Sequence, residues 1–229
     1  MSGANPRLYL YGIADAAAAQ RSLQRLNNGI IAIVSERVAA FARWMDPTDV
    51  VPSEDALWRH ETVCEALMKD GPVLPARFGT TFTTPQDVEL ALRAREGALV
   101  AALARVTNRV ELGIRVFLLA PSEGAVSSSS EETPGAGRAY LERRRATEEQ
   151  KRAAATLIHD ALAPLAAESS RQSLATPQGV MTGAYLVDVS GVDAFRRRVG
   201  ALEAELAQVR IICTGPWPPY SFVNEDPVG

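Results

Sequence analysis

The sequence predicts an α+β protein of two domains, the C-terminal one ferredoxin-like, on three observations. Residues 107–214 read β-α-β-β-α-β, the split order that builds one antiparallel four-stranded sheet with two helices on one face. The preceding hundred residues also mix strand-like and helical periods, so neither half is all-α or all-β. After Thr214 the chain runs Gly-Pro-Trp-Pro-Pro-Tyr-Ser-Phe-Val, an extended Pro/aromatic tail in which three prolines disfavour helix. The boundaries expected are 1–106, 107–214 and a tail over 215–229.

Taken in order, Arg7–Ile13 is aromatic and aliphatic and reads as a strand ending near Gly12. Asp15 caps a helix over Ala16–Leu26, with Ala16, Ala19, Leu23 and Leu26 on one face. Ile30–Ser35 is short and apolar, a buried strand that completes a β-α-β opening. Val38–Pro52 looks irregular, punctuated by Asp46-Pro47 and Val51-Pro52. Ser53 caps a helix running to about Lys69, with Leu57, Glu61, Cys64, Leu67 and Met68 sharing a face. Thr84-Pro85-Gln86-Asp87 opens the next helix, which Val88, Leu92, Leu99, Leu103 and Val106 continue.

From Arg109 to Leu119 the period becomes two, with Val110, Leu112, Ile114, Val116 and Leu118 on one face. Residues 121–137 hold four consecutive serines and three glycines, too little apolar surface to fold alone, and read as a flexible insert. Tyr140–Leu165 is a long charged helix packed through Leu157, Ile158, Leu162 and Leu165. Arg171–Ala175 and Val180–Ser190 are strands joined by a tight turn at Thr176-Pro177-Gln178-Gly179. Val192, Phe195, Val199, Leu202 and Leu206 form a helical stripe, and Val209–Cys213 a last short strand.

One stretch stands apart. Gly71–Phe82 is dense in apolar residues, broken by Pro72, Pro75 and Gly79, and carries a single cation, Arg77, beside Phe78. Gly79 permits a bend between two β-prone pieces, Val73–Phe78 and Thr80–Phe82. Arg77 is either a core-edge charge with a carboxylate partner or the positive corner of a binding surface.

The net charge of −3 suggests neither nucleic acid nor an anionic membrane as partner. Cys64 and Cys213, the two cysteines, read as buried free thiols of a reducing interior. No leader is read before Asn5 and no apolar run approaches a bilayer span, so a soluble cytoplasmic protein is expected.

Catalytic machinery is hard to find. His60-Glu61-Thr62-Val63-Cys64 imitates a zinc-protease helix, but its second ligand position is cysteine and a third ligand is missing. His159 reads as solvated or capped. Phosphate-binding glycine loops and nucleophile elbows are absent from the sequence. Arg143-Arg144-Arg145 and Arg196-Arg197-Arg198 sit on helices with acids and read as solvated faces. Hence no catalytic residue, cofactor or metal is assigned, and recognition is left. Arginine and large aromatics dominate interface hot spots, which singles out Arg77, Phe78, Trp217, Tyr220 and Phe222 as partner-binding candidates. Whether the tail aromatics bind a partner or fill a groove of their own protein stays open.

The Tyr-Leu-Tyr-Gly-Ile start, the Val-Leu-Pro-Ala-Arg-Phe-Gly-Thr-Thr-Phe segment and the terminal Gly-Pro-Trp-Pro-Pro-Tyr-Ser-Phe-Val resemble the gas vesicle protein F/L family, from Leu8 to Val223. The resemblance implies a non-enzymatic accessory protein of gas vesicle assembly, cytoplasmic and vesicle-associated. It would bind the hydrophobic shell protein and other accessory proteins during nucleation, and would itself be a minor vesicle component. The alternative is a small-molecule enzyme on a ferredoxin-like scaffold, betrayed by a pocket with convergent polar groups and a perturbed titratable side chain.

Overall fold

Strand β1 (Arg7–Asp15) is buried at every position except its two ends, as a strand with both faces covered must be. The computed structural model describes residues 5–26, 29–119 and 136–223. They fall into two units, the described residues within 5–111 together with 216–223, and those within 112–215.

The first unit holds β2 (Ile31–Val34), β3 (Val38–Met45), β4 (Val73–Pro75) and β5 (Thr81–Phe82), with helices α1 (Ala19–Leu26), α2 (Glu54–Met68) and α3 (Pro85–Val106). Its sheet runs β2-β3-β1-β4, and β5 also pairs with β1. Strand β3, where the sequence looks irregular, is antiparallel to both β1 and β2 and separates them. The opening is therefore not a simple β-α-β unit. Ala39, Ala40 and Ala42 give β3 little intrinsic strand preference, and complete burial of Val38–Ala42 decides its state instead. β2 is correspondingly half-exposed at the sheet edge rather than buried.

Asp15 caps as expected, accepting from the Ala17 amide at 2.7 Å, but Ala16–Ala18 form a 3-10 turn before α1 begins. In α2 the buried stripe is Ala56, His60, Cys64 and Leu67, while Leu57 is 49% exposed. The stripe is turned by one position from the expected one because a buried histidine, not a leucine, belongs to it. Helix α3 starts on a complete capping box between Thr84 and Asp87. It ends at Asn108, whose φ of 57° is the left-handed residue that stops a helix.

Strand β6 (Arg109–Leu118) leads on to α4 (Ala136–Leu162), β7 (Glu168–Ser173), β8 (Gly179–Asp188), α5 (Val192–Glu205) and β9 (Val209–Trp217). The insert expected over 121–137 lies outside the described residues up to 135, and α4 already includes 136 and 137. The sheet order is β7-β8-β6-β9. Leu112, Ile114 and Val116 of β6 face Ile158 and Leu162 of α4 and Phe195, Val199 and Leu202 of α5 in one core. Leu157 and Leu165, expected in that core, are 46% and 40% exposed. His159 is half-buried rather than solvated, its Nδ1 3.0 Å from the Tyr185 hydroxyl. Cys213 is half-buried, Cys64 buried, and both are free. The two sheets share one connectivity: each unit's third strand lies between its first two, and its fourth flanks the first on the other side.

Candidate functional site

The candidate site grows from the way Gly71–Phe82 is laid against β1. β4 and β5 both pair with β1, as two pieces of one interrupted strand. The pairing needs Gly12, because a Cβ there would stand 2.9 Å from the Leu74 carbonyl oxygen. Tyr11 is the extra residue of a bulge in β1, between Leu10 opposite Ala42 and Gly12 opposite Phe41. Its carbonyl accepts from the Ala76 amide at 2.8 Å and from Cys64 Sγ at 3.3 Å. Between the two strand pieces the backbone turns at Arg77–Thr80. The Arg77 carbonyl accepts from the Thr80 amide and hydroxyl at 3.1 and 2.8 Å, and Gly79 takes φ of 92°.

Behind this turn sits His60, 4% exposed. Its Nε2 lies 3.1 Å from the Ala76 carbonyl, which only accepts, so Nε2 carries the proton. Nδ1 is then the acceptor for the Tyr9 hydroxyl at 2.7 Å. Burial pulls His60 down to about 4 and raises Tyr9 above the ordinary phenol range, so both are neutral at pH 7. Four rings surround the imidazole: Tyr9 and Tyr11 with centroids at 5.6 Å, Phe78 at 5.9 Å and Tyr220 at 6.2 Å. The turn and the tail thus meet on one histidine.

The tail is fastened as well as packed. The Ser221 amide and hydroxyl donate to the Glu111 carboxylate at 2.8 and 2.7 Å, and Arg105 donates to the Phe222 carbonyl. Phe222 is 6% exposed, and Pro218 and Pro219 are buried. The Tyr220 hydroxyl lies close enough to Cys64 and Glu61 to perturb them, yet it and Glu61 Oε1 are buried without a hydrogen bond of good geometry. Burial first, then those neighbours, raises Tyr220. Burial also pushes the Cys64 thiol up to about 12, far from a reactive thiolate.

Of the five candidates, Phe78 and Tyr220 come together on His60, half-buried. Arg77 is exposed, and its guanidinium has no carboxylate partner among the described residues, so the core-edge reading fails. Trp217 is half-buried at the end of β9 and joins none of the described ring contacts to His60. Phe222 is spent on its own unit; its ring is not a free contact surface. In the sequence His60 stands in half a metal motif, which hides its packing role. Among the described residues no group of three or more metal-ligating side chains occurs.

The space inside the cluster is about 10 Å³, room for about one water. A wider groove of about 400 Å³ opens beside it, lined by Tyr11, Ile30, Val63, Arg43, Arg59 and Trp58. Trp58 is 57% exposed, with Leu57 and Val51 also exposed nearby in sequence. Trp58 is not among the sequence-predicted candidates; its signal is an indole standing outside the helix's buried stripe. Among the described residues, no helix is long and apolar enough to cross a membrane.

Fold and site together define an α+β protein of two like-connected units, with an aromatic knot tying its C-terminal residues to its first strand. The profile of the gas vesicle synthesis protein GvpL/GvpF family matches residues 7–224, and the chain belongs to that family. It is 26% identical to gas vesicle protein F1 of Halobacterium salinarum over 95% of this chain and 92% of that one. It is 32% identical to gas vesicle protein L of a Streptomyces species over 74% and 69%. The fold matches the crystal structure of GvpF from Anabaena with a TM-score of 0.77 at 21% identity, over 96% of this chain and 97% of that one. GvpF from Microcystis aeruginosa matches with 0.73 at 20%, over 96% and 99%. A role in the gas vesicle system follows from the family.

Proposed function

We propose that the chain is a non-enzymatic accessory protein of gas vesicle assembly. In this proposal it binds the hydrophobic shell protein and other accessory proteins in the cytoplasm during nucleation, and is retained as a minor vesicle component. The observation that carries this reading is the state of the His60 cluster. His60 and Tyr9 are perturbed, as an enzyme's groups would be, but both are neutral and the cluster encloses about 10 Å³, with no room for a substrate. The small-molecule-enzyme alternative needs a cavity there.

The contact surface in this proposal is Arg77 with the rims of Phe78, Trp217 and Tyr220, extended by the Trp58 groove. An apolar shell subunit exposes surface that aggregates unless covered, and an exposed indole that shares its groove with Ile30 is suited to cover it. The second unit is read as a ferredoxin-like domain, supported by the order β7-β8-β6-β9 with α4 and α5 on one core. The test is co-purification with the shell subunit. Trp58→Ala and Arg77→Ala should each weaken capture without loss of folded structure; capture unchanged in the double variant would reject this surface.

A further inference from the structure

We propose that a basic cleft in the second unit receives an extended, carboxylate-rich segment of a partner protein, laid along the open edge of β7. The cleft has a volume of about 1140 Å³ and runs between α4 and the β7–β8 hairpin. Arg143, Arg144, Lys151, Arg152 and Arg171 line it, against one lining carboxylate among the described residues, Glu148. Glu148 is engaged by Lys151 at 3.2 Å, and Lys151 is itself only 9% exposed. Arg171 reaches across to α4, donating to the Ala155 carbonyl at 3.2 Å. Four arginines therefore remain in excess, on a chain whose total charge is −3. That local surplus is self-repulsive until an anionic partner neutralises it.

Two further features choose the partner's class. β7 is the outermost strand, paired residue by residue with β8 over Glu168–Ser173 and, among the described residues, with no strand on its other side. Arg171–Ser173 of that strand and the turn at 174–177 form one wall of the cleft. An open strand edge offers backbone donors and acceptors in a spacing that only another extended polypeptide matches. Among the described residues the lining holds no aromatic side chain on which a base would stack, which argues against single-stranded nucleic acid. The volume also exceeds the roughly 300–1,000 Å³ of small-ligand pockets. In addition, α4 is exposed at every residue from 141 to 150, so this half of the helix stands clear of the unit's own core.

The test is fluorescence anisotropy with full-length protein and a labelled peptide of alternating glutamate and valine. The same peptide N-methylated at alternate residues, an oligothymidylate of equal charge, and phosphatidylserine vesicles are the comparison probes. The peptide should bind, weaken with added salt, and bind at least tenfold less tightly to R143E/R144E/R152E, whose helical circular dichroism should be unchanged because all three sites are exposed. Arg152→Gln alone should give a smaller loss in the same direction. N-methylation should weaken binding by at least fivefold, since charge is kept and edge pairing is blocked. Equal peptide affinity for wild type and triple variant overturns the proposal, as does tighter binding of oligonucleotide or vesicles than of peptide. Equal affinity of the methylated and plain peptides overturns the strand addition.

Discussion

His60 holds a neutral ring where ionisation has no compensation, and that fixes how stability must respond to acid. Above pH 6.5 the ring is neutral whether the chain is folded or not. Below it, the unfolded chain takes up a proton that the folded chain resists down to about 4, so stability falls with pH across that window. The loss should be about 2 kcal/mol between pH 7 and pH 5 and about 3 kcal/mol by pH 4. His60→Leu should lack this slope and lose about 2–4 kcal/mol at pH 7, because the Tyr9 hydroxyl and Ala76 carbonyl are left unpaired. Glu61 and Glu111, raised by burial, contribute a slope of opposite sign, stability falling as pH rises. They do so in both proteins, so urea titrations of the pair at pH 7 and 5 isolate the histidine. A parallel pH dependence in wild type and variant would sink this account. The residue was visible in the sequence but its role was not. A histidine followed by glutamate and cysteine has one helical pattern whether it ligates or packs, and only tertiary neighbours separate the two.

At the scale of elements, the interrupted strand and the tail are the parts whose roles come from packing. Gly12→Ala should cost about 1–3 kcal/mol, since β1 and β4 must separate to admit a methyl group against the Leu74 carbonyl. Thermal melts check it, and an unchanged melting temperature would show that the strands yield freely. The tail follows a different logic. Proline spacing and aromatic content suggest an extended path after Thr214; in the structure β9 runs to Trp217. The periodicity did not show that Tyr220–Phe222 closes into a 3-10 turn, or that Glu111 and Arg105 hold it. Both anchors lie about a hundred residues away in sequence, beyond the reach of local pattern. Truncation after Thr214 is therefore not a clean test of partner contact, because it removes a buried phenylalanine and uncovers Tyr9 and Tyr11. Phe222→Ala alone should cost about 3–4 kcal/mol. Ser221→Ala should instead free the tail with a smaller loss, seen as faster proteolysis near the C-terminus. Helices with caps and apolar stripes were the legible elements: Thr84, Pro85 and Asp87 placed α3 to the residue. β3 was not, since its alanine-rich half, Val38–Ala42, is buried throughout and so shows no alternation, and Val38 is its one β-branched residue.

For the whole molecule, the decisive distinction is between residues that hold the signature segments in place and residues that those segments present. Phe222 and His60 belong to the first group, buried and hydrogen-bonded or latched; Arg77 and Trp58 belong to the second, exposed and carrying no tertiary load visible in the structure. A variant of the first kind should lower capture of the shell subunit only in proportion to the fraction unfolded. A variant of the second should lower it at full stability. Trp58→Ala removes an indole that is 57% exposed, so its folding cost should be under about 1 kcal/mol, whereas loss of a hot-spot tryptophan typically costs a complex about 2 kcal/mol or more. Capture of the shell subunit should therefore fall at least about tenfold for Trp58→Ala with an unchanged melting temperature. For Phe222→Ala, capture should track the melt and recover on cooling. Titrating shell subunit onto each purified variant, with a melt on the same sample, separates the two groups. Should Phe222→Ala lose capture while fully folded, the tail is itself a contact surface, and its latching to Glu111 describes the unbound protein alone.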